Sequence, residues 1–289
     1  MRMTLGGPRG ESRRPRSRPV PFGVVNSEHE KGQMRIFYFS GTGNSFYVAR
    51  RIAGDGAHRE VSSIPEFLRA GETTVRDDEI VIVSPVYFYS LPPAVERFIT
   101  ETRFEGTQYL SVIFTAEYPN GLALGQTMKL FRAKELEPNS LFYLKMPTNY
   151  VIKSKMLADA AITALLTAAD RKIDTIAKVI SERRNSREHD SWLYSLITGA
   201  RSHKEQWERD FPRFDSGFLS NDACNACGAC ERNCPFGNIS VENRPQWKGH
   251  CQACLRCINT CPKGAIQYGD STEGHRRYFN PRIAIKELA

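Results

Sequence analysis

The chain has 289 residues, 40% of them hydrophobic and 25% charged, with a formal net charge of +8 and eight cysteines. That length suits one or two domains that bury a core without staples, and the composition excludes wholesale disorder and collagen-like repetition. No uncharged apolar run reaches the roughly 18 residues of a membrane span; the best, Leu157 to Ala169, is 13 residues long and carries Asp159. All eight cysteines fall between Cys224 and Cys261. This crowding is the opposite of a disulfide framework and points to a metal site in a reducing compartment, for which the expectation is the cytoplasm.

Residues 1–33 hold seven Lys or Arg against three Glu, a net of +4, so half of the charge excess sits in about a ninth of the chain. Four prolines and the lack of aliphatic periodicity predict a disordered basic extension. Arg13-Arg14 is not read as an export signal, because Pro15 to Gln33 contains no apolar core of the 7–15 residues that one needs.

From Arg35 the texture changes. Arg35 to Phe39 reads as a strand that stops at Ser40-Gly41-Thr42-Gly43-Asn44-Ser45, and Phe46 to Ala53 reads as a helix ending at Gly54. Further strands are predicted at His58–Ser62, Ile80–Ser84, Tyr109–Thr115 and Leu141–Lys145, with helices at Ala94–Thr102 and Leu122–Leu136. Near-continuous apolar strands alternating with helices argue for an α/β fold with a doubly wound, five-stranded parallel sheet. From Lys155 to Arg183 apolar residues recur at helical spacing, giving a helix that would cover the sheet's open face. The predicted organisation is an α/β domain over 34–183, a helical connector over 184–216, a second small α+β domain over 217–270, and a C-terminal tail over 271–289.

The strongest motif is Cys224-x2-Cys227-x2-Cys230-x3-Cys234-Pro235, repeated as Cys251-x2-Cys254-x2-Cys257-x3-Cys261-Pro262. In this run three closely spaced thiolates hold one iron–sulfur cube and the fourth reaches across to the other. The pattern assigns Cys224, Cys227, Cys230 and Cys261 to one [4Fe-4S] cluster and Cys251, Cys254, Cys257 and Cys234 to the second. Zinc also binds C-x-x-C pairs, but it has no use for the further cysteine and Cys-Pro in each copy. The six histidines are scattered, and His250 beside Cys251 reads as a surface residue. The segment resembles a bacterial two-cluster ferredoxin over roughly 55 residues.

Ser40 to Ser45 follows a strand and opens a helix, so its backbone N–H groups, the hydroxyls of Ser40, Thr42 and Ser45, and the helix N-terminus form a phosphate cradle. It lacks the Gly-Lys-Ser/Thr of a Walker loop, and Phe46 stands where the dinucleotide motif has its third glycine. A monophosphate fits better than a pyrophosphate. With its sheet, the region resembles the flavodoxin family, which implies FMN held by Ser40, Gly41, Thr42, Gly43, Asn44 and Ser45. Beyond the carboxyl ends of later strands, the resemblance places Pro85, Val86, Tyr87, Phe88 and Tyr89, and then Thr115, Glu117, Tyr118 and Gly121, beside the flavin ring, where aromatic faces suit stacking. Glu117 departs from the neutral loop expected there, and a carboxylate near the reduced ring disfavours its anion.

Residues 34–289 together resemble fusion proteins in which a flavodoxin-like domain precedes a two-cluster ferredoxin domain, and Tyr278 to Pro281 fits that family's Tyr-x-Asn-Pro segment. The resemblance implies electron transfer between two [4Fe-4S] clusters and FMN, with no residue in acid–base or nucleophilic work. Residues Ser216 to Asp270 carry five basic against four acidic side chains, so the expected redox partner is acidic, such as a ferredoxin. Two other readings stand beside it. One is an iron–sulfur redox or oxygen sensor whose α/β domain is a non-redox binding module, and the other is a nucleic-acid binder acting through residues 1–33.

Overall fold

The computed structural model describes residues 33–118, 122–189 and 196–288. The basic extension, except for Gln33, lies outside these residues, as do Gly121 and residues 190–195 of the connector.

The apolar runs become the strands β1 (Met34–Tyr38), β2 (Arg59–Ser63), β3 (Glu79–Pro85), β4 (Tyr109–Ala116) and β5 (Ser140–Lys145). All pair in parallel, in the order β2-β1-β3-β4-β5. Alternation along β1 divides the core. Ile36 and Tyr38 face one apolar cluster, whereas Phe37 and Phe39 face the other. The first cluster is covered by α1 (Asn44–Ala53) and, after the intervening helices, by α5 (Asp159–Ser181). The second is covered by α2 (Ile64–Arg69), α3 (Pro93–Glu101) and α4 (Ala123–Arg132).

The sheet has a sixth strand that the sequence reading does not contain. Ser186–Arg187 forms β6 and pairs in parallel with Ser140 and Leu141. Two residues carry no periodicity to read; the strand is fixed by its neighbours, as Tyr109 donates its hydroxyl to the Arg184 carbonyl at 2.9 Å. Helix α2 is likewise unforeseen and rests on local capping, with Ser63 Oγ accepting from the Glu66 N–H and Pro65 in the first turn. Helix α4 stops at Arg132 rather than Leu136, and the chain leaves it through Glu135 at φ 59°.

The described part of the connector is only partly helical. It contributes β6, then α6 (Ala200–Asp210) and a tight helical turn over Phe211–Gly217. The cysteine segment follows with β7 (Phe218–Ser220), α7 (Ala229–Arg232), β8 (Ile239–Val241), β9 (Pro245–Trp247), α8 (Arg256–Thr260) and β10 (Ile266–Tyr268). Antiparallel pairs β7–β10 and β8–β9 frame a third apolar cluster around Trp207, Phe214, Phe218 and Ile258.

Residues 271–288 are not a free tail. The chain returns to the α/β domain, burying Tyr278 and Asn280 against the start of α1. The Tyr278 hydroxyl and Asn280 Nδ2 donate to Asn44 Oδ1 at 2.7 and 3.1 Å, and the Asn280 N–H donates to the Thr42 carbonyl at 2.8 Å. Asn44 Nδ2 in turn donates to the Pro147 carbonyl. Arg282 caps the arrangement by pairing with Asp170 of α5. Asn280→Ala removes the buried side chain that donates to Asn44 Oδ1 and accepts from the Arg282 N–H, so it is expected to lower unfolding stability by about 1–3 kcal/mol. The urea-unfolding midpoint checks this, and wild-type stability would remove the strut role.

Candidate functional site

The loop between β1 and α1 is shaped for an anion. Gly43 has φ 95°, and its N–H donates to Ser40 Oγ at 3.0 Å, which closes a tight turn. Helix α1 has no side-chain N-cap and no acidic residue in its first turn, so its leading N–H groups remain available to a negative ligand. Ser40, Thr42 and Ser45 are buried, and the Ser45 and Thr115 hydroxyls share a 2.8 Å hydrogen bond. Ser40, Gly41, Thr42, Asn44 and Ser45 line one cavity with Pro85, Thr115 and Glu117; Gly43 does not line it but sets the turn. Buried hydroxyls, an uncapped helix end and the absence of a carboxylate in the first turn suit a phosphomonoester.

A larger cavity of about 270 Å³ continues from the first, sharing Val86, Tyr87, Glu117 and Asn149 as walls. Phe88, Tyr89 and Tyr118 also line it. Tyr87 and Ser90 exchange backbone hydrogen bonds at 2.9 Å, with Phe88 and Tyr89 at φ 47° and 65° between them. Left-handed backbone at a non-glycine residue costs about 1–2 kcal/mol. Aromatic contacts hold it there. Phe88 stacks on Trp207 at 4.4 Å and 13° and meets Tyr150 edge-on, while Tyr89 lies 6.0 Å from the His203 ring. One face of Phe88 is therefore already covered by α6.

Sequence reasoning missed two contributions to this cavity. Thr148, Asn149 and Tyr150 follow β5 and line it, and Trp207 of α6 does so as well. The first was findable, because a doubly wound sheet places ligand loops beyond each strand's carboxyl end. The second carries no sequence signal.

The cysteine repeats adopt matching backbones. Ala226 and Ala253 have φ 53° and 51°, Gly228 and Leu255 have 72° and 57°, and Gly237 and Gly264 have 62° and 60°. The two turns thus wrap in the same way. Cys234, Cys251, Cys254 and Cys257 line a single cavity, which brings one predicted ligand set together. For the other set, the electrostatic neighbours of Cys230 are Cys261 and Cys224. Backbone N–H groups of Asn238, Ala253 and Ala265 donate to the sulfurs of Cys234, Cys251 and Cys261, each at 3.3 Å. Burial pushes the Cys230 thiol up to about 11 and raises Cys251, Cys254 and Cys257 as well. Such thiols ionise only beside a cation, as metal coordination provides. Among the described residues no three His, Cys, Asp or Glu side chains close on one metal ion; a four-iron cube spreads its thiolates wider than a single ion does. These residues fit such a cube.

The two sites touch. A Cβ at Gly41 would collide with the Cys254 carbonyl oxygen, so only glycine allows this approach. Asn149 Nδ2 donates to the same oxygen at 3.3 Å. Arg256, between Cys254 and Cys257, is 3% exposed. Its guanidinium donates to the Ser40 carbonyl at 2.8 Å, the Gly41 carbonyl at 3.0 Å, Asn233 at 3.2 Å and Leu288 at 2.8 Å.

A family model described as a flavodoxin domain matches residues 35–140, and one described as a 4Fe-4S binding domain matches residues 219–240. The chain therefore joins an N-terminal flavodoxin domain to a C-terminal ferredoxin-type domain, an arrangement that supports an electron-transfer role involving flavin and iron–sulfur chemistry. No curated protein matches the chain. Among solved structures, the Trp repressor binding protein from Bacillus subtilis is similar at 8% identity and TM-score 0.33, over 51% of this chain and 98% of its own. The two-electron reduced flavodoxin of Megasphaera elsdenii is similar at 17% identity and TM-score 0.30, over 48% and 99%. Among the described residues no helix is long and apolar enough to cross a membrane.

Two outcomes test the site. Glu117→Gln removes a negative charge from the wall shared by both cavities, so the flavin midpoint potential should rise in a redox titration; an unchanged value would exclude Glu117 from the ring's surroundings. Arg256→Met strands four buried carbonyls, with an expected stability loss of more than about 2 kcal/mol and faster iron loss on chelator challenge. Wild-type iron retention would remove Arg256 from cluster support.

Proposed function

We propose that the chain passes electrons between two [4Fe-4S] clusters and FMN. Each cluster carries one electron at a time and flavin accepts one or two, so joining them makes a one-to-two-electron junction. The observation that carries this reading is the shared hydrogen bonding of Arg256, which links the cluster loop at Cys254 to the carbonyls of Ser40 and Gly41. Ser40 to Ser45 hold the phosphate, Val86 to Phe88 and Trp207 wall the ring, and Cys234, Cys251, Cys254 and Cys257 hold the cluster nearer the flavin. Cys224, Cys227, Cys230 and Cys261 hold the farther one, where Cys227 is exposed.

The partner is an acidic redox protein. Lys153, Arg209 and Arg213, against Asp210, edge a cleft that also includes Phe88 and Trp207, giving a rim of net positive charge next to the flavin wall. Anaerobic purification should yield eight iron, eight sulfide and one FMN per chain, about the content of two cubes and one flavin. Stepwise reduction should bleach the cluster and flavin bands in separable phases. Zinc without flavin would overturn the proposal, and iron without flavin would favour the sensor reading.

A further inference from the structure

Tyr87 occupies a position that neither site accounts for by itself. Its ring lines both flavin cavities, and it packs edge-on against Phe39 at 6.1 Å, which in turn meets Phe236 beside Cys234-Pro235. Its hydroxyl is fully buried and has no hydrogen-bond partner among the described residues. The groups around the hydroxyl that act on it electrostatically are Cys254, Arg256 and Cys251. Glu117, the acidic residue of the flavin cavities, is not among them.

A buried, unsatisfied hydroxyl costs about 1–3 kcal/mol, and phenylalanine would fill the same space without that cost. An acceptor supplied by something other than the chain resolves the mismatch. Arg256 is a donor only, and four of its five N–H groups go to backbone carbonyls. Of the groups acting on the hydroxyl, those that can accept are the sulfurs of Cys254 and Cys251, and Tyr87 packs on the apolar clusters that contain them. A second donor makes the same point independently, because the Trp247 indole Nε1 is also buried without a partner, and Trp247 lines the cavity formed by Cys234, Cys251, Cys254 and Cys257.

We propose that Tyr87 is a positioning residue whose ring walls the flavin cavity while its hydroxyl donates a hydrogen bond to the sulfur of the cluster held by Cys234, Cys251, Cys254 and Cys257. The inference rests on the cofactor content proposed above. A donor to cluster sulfur stabilises the more negative, reduced form, so the bond raises that cluster's reduction potential relative to its twin. One side chain then touches both redox centres and sets the potential step between them.

The test uses the full chain carrying its cofactors. Tyr87→Phe keeps the ring and removes only the oxygen, and its FMN and iron contents are quantified before titration. One of the two cluster midpoint potentials should fall in an EPR-monitored titration, while the other cluster and the flavin stay in place. Trp247→Phe should lower the same midpoint. Fluorotyrosine at position 87, a stronger donor of similar shape, should move it upward, a sign that packing damage does not produce. Unchanged cluster midpoints in a fully loaded Tyr87→Phe protein, or a shift confined to the flavin, would overturn the inference and leave the proposed function standing. Wild-type protein that binds no iron would overturn both.

Discussion

The guanidinium of Arg256 lies beneath the surface, and none of its hydrogen bonds goes to a carboxylate. Four backbone carbonyls from three separate stretches of chain take four of its five N–H donors, so the loop between β1 and α1, the first cysteine repeat and the C-terminal end are all registered against one side chain. A buried cation held only by carbonyl dipoles retains its charge, and that charge needs compensation nearby. Cys254 and Cys257 stand on either side of it in sequence, and the loop between β1 and α1 accepts its hydrogen bonds. On the proposed reading, the anionic cofactors complete an electrostatic arrangement that the polypeptide leaves positive.

The same region concentrates backbone strain. Phe88, Tyr89, Ala226, Ala253 and Leu255 are non-glycine residues at positive φ, and all belong to the flavin wall or the cysteine turns. Left-handed backbone persists at such residues only where surrounding contacts over-determine it. For Phe88 these contacts are Trp207 and Tyr150. For Ala253 and Leu255 they are the apolar cluster around Ile258 together with the approach of Gly41 to Cys254. The relaxed part of the molecule is the sheet, whose alternating strands place Ile36 and Phe37 in opposite cores without such strain.

Those two regimes explain what the sequence made legible. The strands declared themselves through continuous apolar runs, and the cysteines through a spacing that coordination chemistry dictates. The turn between β1 and α1 was readable because its hydroxyls and glycines follow a strand and open a helix. Other features depend on residues far apart in the chain. Tyr278 and Asn280 matter because they meet Asn44, more than 230 residues earlier, and no local pattern around them states this. Trp207 read as part of a polar connector, and Arg256 read as one charge among five. The aromatics of the β3 loop were identified as ring-facing groups, but the covering of Phe88 by α6 follows only from tertiary packing.

The two cysteine repeats have matching backbones but different side chains where they approach the flavin domain. Gly228, Ala229 and Phe236 of the first repeat correspond to Leu255, Arg256 and Lys263 of the second. Lys263 is exposed, whereas Phe236 packs on Phe39 and Leu255 lines the flavin cavity. A duplicated fold with two equivalent faces gives electrons no preferred route. Here the divergent positions bury the set Cys234, Cys251, Cys254 and Cys257 against the α/β domain, while Cys227 of the other set remains at the surface. On the proposed reading this asymmetry orders the centres, placing the solvent-facing cluster where a partner meets it and the buried one beside the flavin.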